Sequence, residues 1–285
     1  MNIASASLAS GLFGWLEQNS SCLDRDNTLA AEVLPRLAAA GVLGAGVPKE
    51  HGGSGGDVTD GIRAIADISR HSLAAGFVLW GHRAYIELLL QSPNTTLRGM
   101  LLPDLIAGRV AGATGLSNAM KFLAGLEELQ VNARPRAGGF ALTGKLPWVT
   151  NLRPQGFHVA AAVAHEGGVF IASLAHDDPG LVRSADLDLM ALRGSNTAAV
   201  SIADVQIHAD RVIHPDASVS LPAGSWVPAT LMTNGAVTVP PLLDRMMKLV
   251  PGSTLCRVSC WKFEESSFSV SARRSNVPYF NDLRR

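Results

Sequence analysis

Apolar residues recur at helical spacing through the first 108 residues of the chain and then give way to short runs separated by Gly, Pro, Asn and Asp. Leu29, Val33, Leu34 and Leu37 share one helical face. Asp24 or Asp26 is placed to cap that helix, and Gly41 to end it. Residues 41–57, GVLGAGVPKEHGGSGGD, hold too much Gly and Pro for regular structure and read as a loop. Asp57 then stands as the N-cap of a helix whose Val58, Ile62, Ile65, Ala66 and Ile68 line one side. A further helix carries Leu73, Phe77, Leu79, Tyr85, Leu88 and Leu89, and Asn94 caps another that stops at Gly108.

Beyond Gly108 the apolar runs are Val110–Thr114, Leu129–Ala133, Phe140–Leu146, Phe157–Val163, Val169–Leu174 and Ala198–Ile207. Their length and spacing predict an antiparallel β barrel or sandwich. In the last run Val200 and Ile202 hold one phase and Val205 and Ile207 the other, so a bulge is expected across Ala203 and Asp204. The predicted fold class is α+β: a helical domain over 1–108, a β domain over 109–215, and an irregular, poorly ordered tail over 216–285. In that tail residues 252–285 contain a single alanine, Ala272, and no sustained period.

Composition narrows the function classes. With 24 basic and 24 acidic residues the net charge is zero, which gives no field to attract nucleic acid or an anionic membrane. At 47% hydrophobic and 17% charged the chain has material for a substantial core. Cys22, Cys256 and Cys260 form no disulfide framework. The N-terminus lacks the basic region of a signal peptide, and His82, Arg83 and Glu87 break the apolar stretch 73–90, so no membrane span is expected and the location reads as cytoplasmic. The histidines show no metal-ligand spacing, and no metal site is expected.

Two segments carry candidate chemistry. Gly52-Gly-Ser54-Gly-Gly56 matches the G-x-S-x-G of hydrolases, but it lacks the preceding strand that would expose the serine, and the match reads as fortuitous. In Gly144-Lys-Leu-Pro-Trp148-Val-Thr150-Asn151 a strand puts Trp148 and Thr150 two residues apart, and so on one face. An indole beside a hydroxyl is a platform for a planar redox ring. The same spacing also describes ordinary core packing with a cross-strand hydroxyl.

In chain order these segments resemble the acyl-CoA dehydrogenase family over roughly residues 25–215. Gly41 to Gly55 resembles the family's G-l-x-g-x-x-v-P-e-e-y-G-G-x-G loop, and Ala111–Thr114 falls where a strand enters its T-E-P segment. Gly144–Asn151 resembles G-x-K-x-W-I-T-N, and Leu192-Arg-Gly-Ser-Asn-Thr197 resembles G-x-r-x-s-x-t. The resemblance implies FAD, with FMN as the alternative, and an acyl-CoA or similar small-molecule substrate in a homo-oligomer. It further implies Trp148 against the flavin, Thr150 bonded near its N5 and Thr114 at its pyrimidine end.

This chain departs from the family in two places. Thr114-Gly-Leu-Ser-Asn-Ala-Met120-Lys121 stands where the family has T-E-P-x-x-G-S-D, leaving Ser117 as the substitute hydroxyl. Past about residue 225 the pattern ends, so the C-terminal four-helix domain and its glutamate base have no expected counterpart. Glu264 and Glu265 lack recognisable context, and no catalytic residue is assigned. The expected function is an acyl-CoA dehydrogenase-like flavoprotein, truncated and of doubtful activity. The alternatives are a flavin-dependent monooxygenase of the same fold and a non-catalytic binding module.

Overall fold

The computed structural model describes residues 3–123 and 125–217, and the side chains of 11–122 and 125–217 among them. Expectations that fall beyond 217, including the tail, the missing helices and Glu264 and Glu265, lie outside the described residues.

Five helices come first: α1 (Ile3–Arg25), α2 (Ala30–Ala39), α3 (Val58–His71), α4 (Leu73–Gln91) and α5 (Thr95–Ile106). Helix α1 was not anticipated, because its apolar stripe of Leu12, Leu16 and Leu23 is thinned by Ser, Ala and Gly. It is held down by Phe13 stacked on His71 at 4.3 Å, by the Glu17–His71 contact at 2.7 Å, and by Arg36 lying 4.2 Å over the Trp15 ring. The expected cap of α2 is corrected: the helix starts after Leu29 with no side-chain cap. Asp26 instead closes a turn onto the Thr28 N–H at 2.9 Å, and Asp24 accepts from the Leu192 N–H at 3.0 Å.

The loop at 41–57 contains two single 3-10 turns, Val42–Gly44 and Lys49–His51. Ser54 is spent inside it, its hydroxyl donating to the Gly44 carbonyl at 2.8 Å, which removes the hydrolase reading of the glycine cluster. Asp57 caps α3 as expected, in a reciprocal box with Asp60.

Helix α4 is the hub of the helical layer. By length and composition it is apolar enough to cross a membrane, yet 78% of its span-length window is buried within the protein. Several of its polar residues are buried against partners. Arg83 pairs with Glu87 at 3.4 Å, and the buried Tyr85 hydroxyl meets the Ser173 hydroxyl at 2.6 Å.

The second half is a single connected eight-stranded sheet. Its strands are β1 (Ala111–Gly115), β2 (Val131–Arg136), β3 (Gly139–Val149), β4 (Phe157–His165), β5 (Gly168–Ala175), β6 (Leu181–Asp186), β7 (Ala198–His208) and β8 (Val212–His214). The path runs β6-β7-β3-β2-β4-β5-β8, with β1 also on β4. The antiparallel expectation needs amending at two places, since β1 and β2 both pair with β4 in parallel. Between β1 and β2 runs a short helix α6 (Ser117–Leu123), which the sequence pattern did not reveal; β6 was likewise missed, its Arg, Ser and Asp masking the alternation. The bulge in β7 falls where the phase slip put it: Ala203 and Asp204 of β7 oppose the single Thr143 of β3, and Asp204 takes φ 55°.

Strand β4 shows how the layers meet. Val159, Ala161 and Val163 face a core shared with Leu142, Val200 and Val205 of the sheet itself. Ala160 and Ala162, one residue out of phase, face Tyr85, Leu88 and Leu105 of α4 and α5. Both faces of the strand are thus buried, and the helical layer sits against the sheet through α4.

Candidate functional site

The site is built where β3 ends. Leu146 pairs with Val200 and Val149 with Ala198, so Pro147 and Trp148 of β3 oppose the single Ala199 of β7. That irregularity turns Trp148 outward, 61% exposed, while Leu146 and Val149 on either side stay in the core. Strand β3 stops at Val149, so Thr150 lies one residue past it rather than on the strand as the spacing had suggested. Thr150 is buried at 7% exposure, in contrast with Trp148.

Residue Asn151 then takes a left-handed conformation, φ 65°. Its backbone N–H donates to the Ser195 carbonyl at 3.0 Å and its side-chain amide to the Gly112 carbonyl of β1 at 2.9 Å. The facing loop holds two more left-handed residues, Leu192 (φ 61°) and Asn196 (φ 50°). They are fixed from the helical layer, through Asp24 on the Leu192 N–H and through the Asn196 amide on the Ala30 carbonyl at 3.3 Å. Non-glycine residues with positive φ persist only where surroundings over-determine them, and here three converge on one loop pair.

Between these loops lies a file of hydroxyls. Thr150 Oγ1 is 3.2 Å from Thr197 Oγ1, which is 2.7 Å from Ser195 Oγ. Ser195 is fully buried, and Thr197 is buried at 6% exposure.

The third expected residue, Thr114, is half-buried on β1. The segment 146–151 runs antiparallel beside β1: Asn151 bonds Gly112, and a Cβ on Gly115 would come within 2.6 Å of Leu146 Cδ1. From the helical side, Phe77 and Trp80 stack at 5.3 Å on α4. The adjoining Gly81 faces the Thr150 carbonyl, 3.7 Å from where a Cβ would stand. Trp80 Nε1 and Asn151 Oδ1 are buried and find no partner among the described residues.

The segment after Thr114 is closed by the chain's own side chains. Asn118 donates to the Glu127 carboxylate at 3.1 Å and to the Glu128 carbonyl at 3.0 Å, and accepts from the Gln130 N–H at 2.9 Å. Lys121 pairs with Glu127 at 2.7 Å, and the bonds from Lys121 and then Asn118 hold that carboxyl below the usual carboxylate range. Ser117 is exposed at the start of α6. A separate groove of about 550 Å³ lies between the Lys49–His51 turn and α5, lined by residues such as Glu50, Arg98 and Ile106; Thr114, Trp148 and Thr150 are not among its walls.

The hydroxyl file and the left-handed hub were not read as such from the sequence. Ser195 and Thr197 lie more than forty residues from Thr150, and only the register of β3 on β7 brings them together.

Residues 16–109 match the family model described as acyl-CoA dehydrogenase, N-terminal domain. Mitochondrial isovaleryl-CoA dehydrogenase of Pongo abelii is 28% identical over 202 residues, 67% of this chain and 47% of that protein. The chain thus spans about half the length of the curated relatives it matches. Butyryl-CoA dehydrogenase from Megasphaera elsdenii has a similar fold, with TM-score 0.60 at 21% identity over 76% of this chain and 60% of that one. So does KijD3 in complex with FMN and an amino-keto-sugar nucleotide, with TM-score 0.60 at 22% identity over 83% of this chain and 60% of that one. The matched N-terminal domain, the named relatives and the shared fold make this chain similar to the acyl-CoA dehydrogenase family.

Proposed function

We propose that the chain is a flavin-dependent oxidoreductase whose ring-binding surface is the end of β3, with an acyl thioester as substrate. The observation that carries this reading is the exposed Trp148 beside the buried Thr150 hydroxyl, at the position of the family's W-x-T-N segment. The residues fit a planar heteroaromatic ring. Trp148 offers an apolar face, Thr150 a directional hydroxyl, and Trp80 Nε1 and Asn151 Oδ1 are buried polar atoms with unmet capacity. Thr114, half-buried on β1, would meet the polar edge of the same ring.

When bound, a flavin supplies a two-electron acceptor for α,β-dehydrogenation. The side chains seen here would do the rest of the local work. Trp148 shields the ring from water, and the rigid loops around Asn151 and Asn196 hold Thr150 in place. Proton removal from a substrate demands a base within hydrogen-bond reach, and no described residue is assigned that role. The test is an absorbance spectrum of the 285-residue chain mixed with FAD, followed by acyl-CoAs of several lengths. Bleaching by an acyl-CoA supports the reading; failure to bind FAD overturns it.

One observation favours a second reading, a flavin-dependent monooxygenase of the same fold. The segment 117–130 is closed by Asn118, Lys121 and Glu127, where the family's G-S-D glycine turn would leave backbone free for an acyl-CoA. Flavin that no acyl-CoA bleaches but that an external reductase bleaches would select it.

A further inference from the structure

We infer that Ser195 and Thr197 are positioning residues that commit the Thr150 hydroxyl to donating a hydrogen bond, so that the site selects a ring presenting an acceptor atom there, the oxidised rather than the reduced form of a flavin. The inference rests on the flavin reading above and adds a direction to it. Three hydroxyls in a row carry three protons for two internal hydrogen bonds, so one proton is left over: on Ser195, on Thr197 if it accepts from both neighbours, or on Thr150. The two ends are not equivalent. Ser195 is fully buried, and the only hydrogen bond its hydroxyl makes among the described residues is to Thr197 at 2.7 Å. Left on Ser195, or on Thr197, whose buried hydroxyl meets only its two neighbours among the described residues, that proton would lie in the core without an acceptor, which is unfavourable.

Running outward removes that penalty. Ser195 donates to Thr197, Thr197 donates to Thr150 at 3.2 Å, and the Thr150 proton is left for whatever lies against the loop. Each hydroxyl that accepts becomes a better donor, so the outermost one is polarised by the two behind it. Ser195 and Thr197 cannot drift, because the Asn151 N–H holds the Ser195 carbonyl at 3.0 Å and the Leu187 N–H holds the Thr197 carbonyl at 2.9 Å. An oxidised flavin ring nitrogen accepts such a bond. The same nitrogen carrying a hydrogen in the reduced ring would set one donor against another.

The experiment uses the 285-residue chain, its Thr197→Val, Thr197→Ser and Ser195→Ala variants, and FAD as the probe. Dissociation constants are measured for oxidised FAD and, anaerobically, for dithionite-reduced FAD. Wild type is expected to favour the oxidised form. Thr197→Val keeps the side-chain shape but removes the file's middle member, and should weaken oxidised FAD about fivefold while changing reduced FAD less. Thr197→Ser should restore the preference. Ser195→Ala, with a smaller loss in the same direction, decides the matter if the valine variant does not fold. Equal weakening of both redox forms, or a greater loss for reduced FAD, overturns the relay and leaves the flavin reading standing. A wild-type chain that binds neither form overturns the flavin reading itself.

Discussion

The imidazole of His82 joins the helical layer to the first strand: its Nδ1 accepts the Gly112 backbone N–H at 3.0 Å while its Nε2 lies 2.9 Å from the Leu105 carbonyl. A carbonyl can only accept, so Nε2 carries the hydrogen and Nδ1 must be bare. One neutral tautomer thus bridges the Leu105 carbonyl at the end of α5, which also accepts the Gly108 N–H at 2.9 Å, and the Gly112 N–H of β1. Gly112 in turn offers its carbonyl to Asn151, so the histidine supports the strand that the candidate site leans on.

That arrangement makes stability acid-sensitive. Burial, with a smaller contribution from neighbouring Arg83, lowers the His82 pKa from 6.5 to about 4. Because the unfolded chain binds the proton more readily, the stabilisation is complete above pH 6.5 and is lost as pH falls toward 4. The difference is on the order of 3 kcal/mol. His158, its pKa also lowered to about 4, chiefly by burial, acts in the same direction. His82→Gln keeps an amide donor and acceptor without the titration. Urea unfolding across pH 4–7 should then show a shallower loss than wild type, and identical slopes would rule His82 out as the cause.

The cap of α3 gives a simpler expectation. Asp57 accepts the Thr59 N–H at 2.8 Å and receives Asp60 on its own N–H at 3.1 Å, and the bonds from Thr59 hold its carboxyl below the usual range. Asp57→Ala should lower the thermal midpoint. Asp57→Asn should recover most of that loss in thermal unfolding, since the capping oxygen is retained.

How much of this was legible depended on whether a signal was local. Asp57 and Asn94 announced their helices because a cap acts within three residues, and the β7 bulge announced itself because a phase slip is visible along a single strand. Helix α1 and strand β6 were hidden, since small and polar residues dilute their apolar stripes. The pairing of β1 with β4 in parallel, and the meeting of Thr150 with Thr197, depend on register between distant segments. Trp148 and Thr150 could be picked out by type, but the bulge and chain turn that expose one and bury the other were not readable from their spacing.

Packing between α4 and β1 can be tested at Gly112. A Cβ there would stand 2.8 Å from Tyr85 Cβ and 3.0 Å from its ring. Tyr85 has no room to yield, being fully buried with its hydroxyl on Ser173. Gly112→Ala should therefore destabilise by about 1–3 kcal/mol through overpacking. A lowered urea midpoint for Gly112→Ala would confirm the clash; a midpoint equal to wild type would show that β1 and α4 move apart to admit the methyl group.

Asn151 combines two demands that different substitutions separate. Its backbone sits at φ 65°, and its amide holds the buried Gly112 carbonyl at 2.9 Å. Asn151→Gly keeps the backbone free to adopt that conformation and loses only the hydrogen bond, which should cost about 1–2 kcal/mol. Asn151→Ala loses the same bond and adds roughly 1 kcal/mol of left-handed strain. Asn151→Asp should be worst, because it sets a carboxylate oxygen against the Gly112 carbonyl inside the core, where Asn151 is fully buried. Urea midpoints should thus fall in the order Asn, Gly, Ala, Asp. Ala and Gly variants of equal stability would mean that the loop does not enforce the left-handed turn, and that the hydrogen bond to β1 alone sets the position of Thr150.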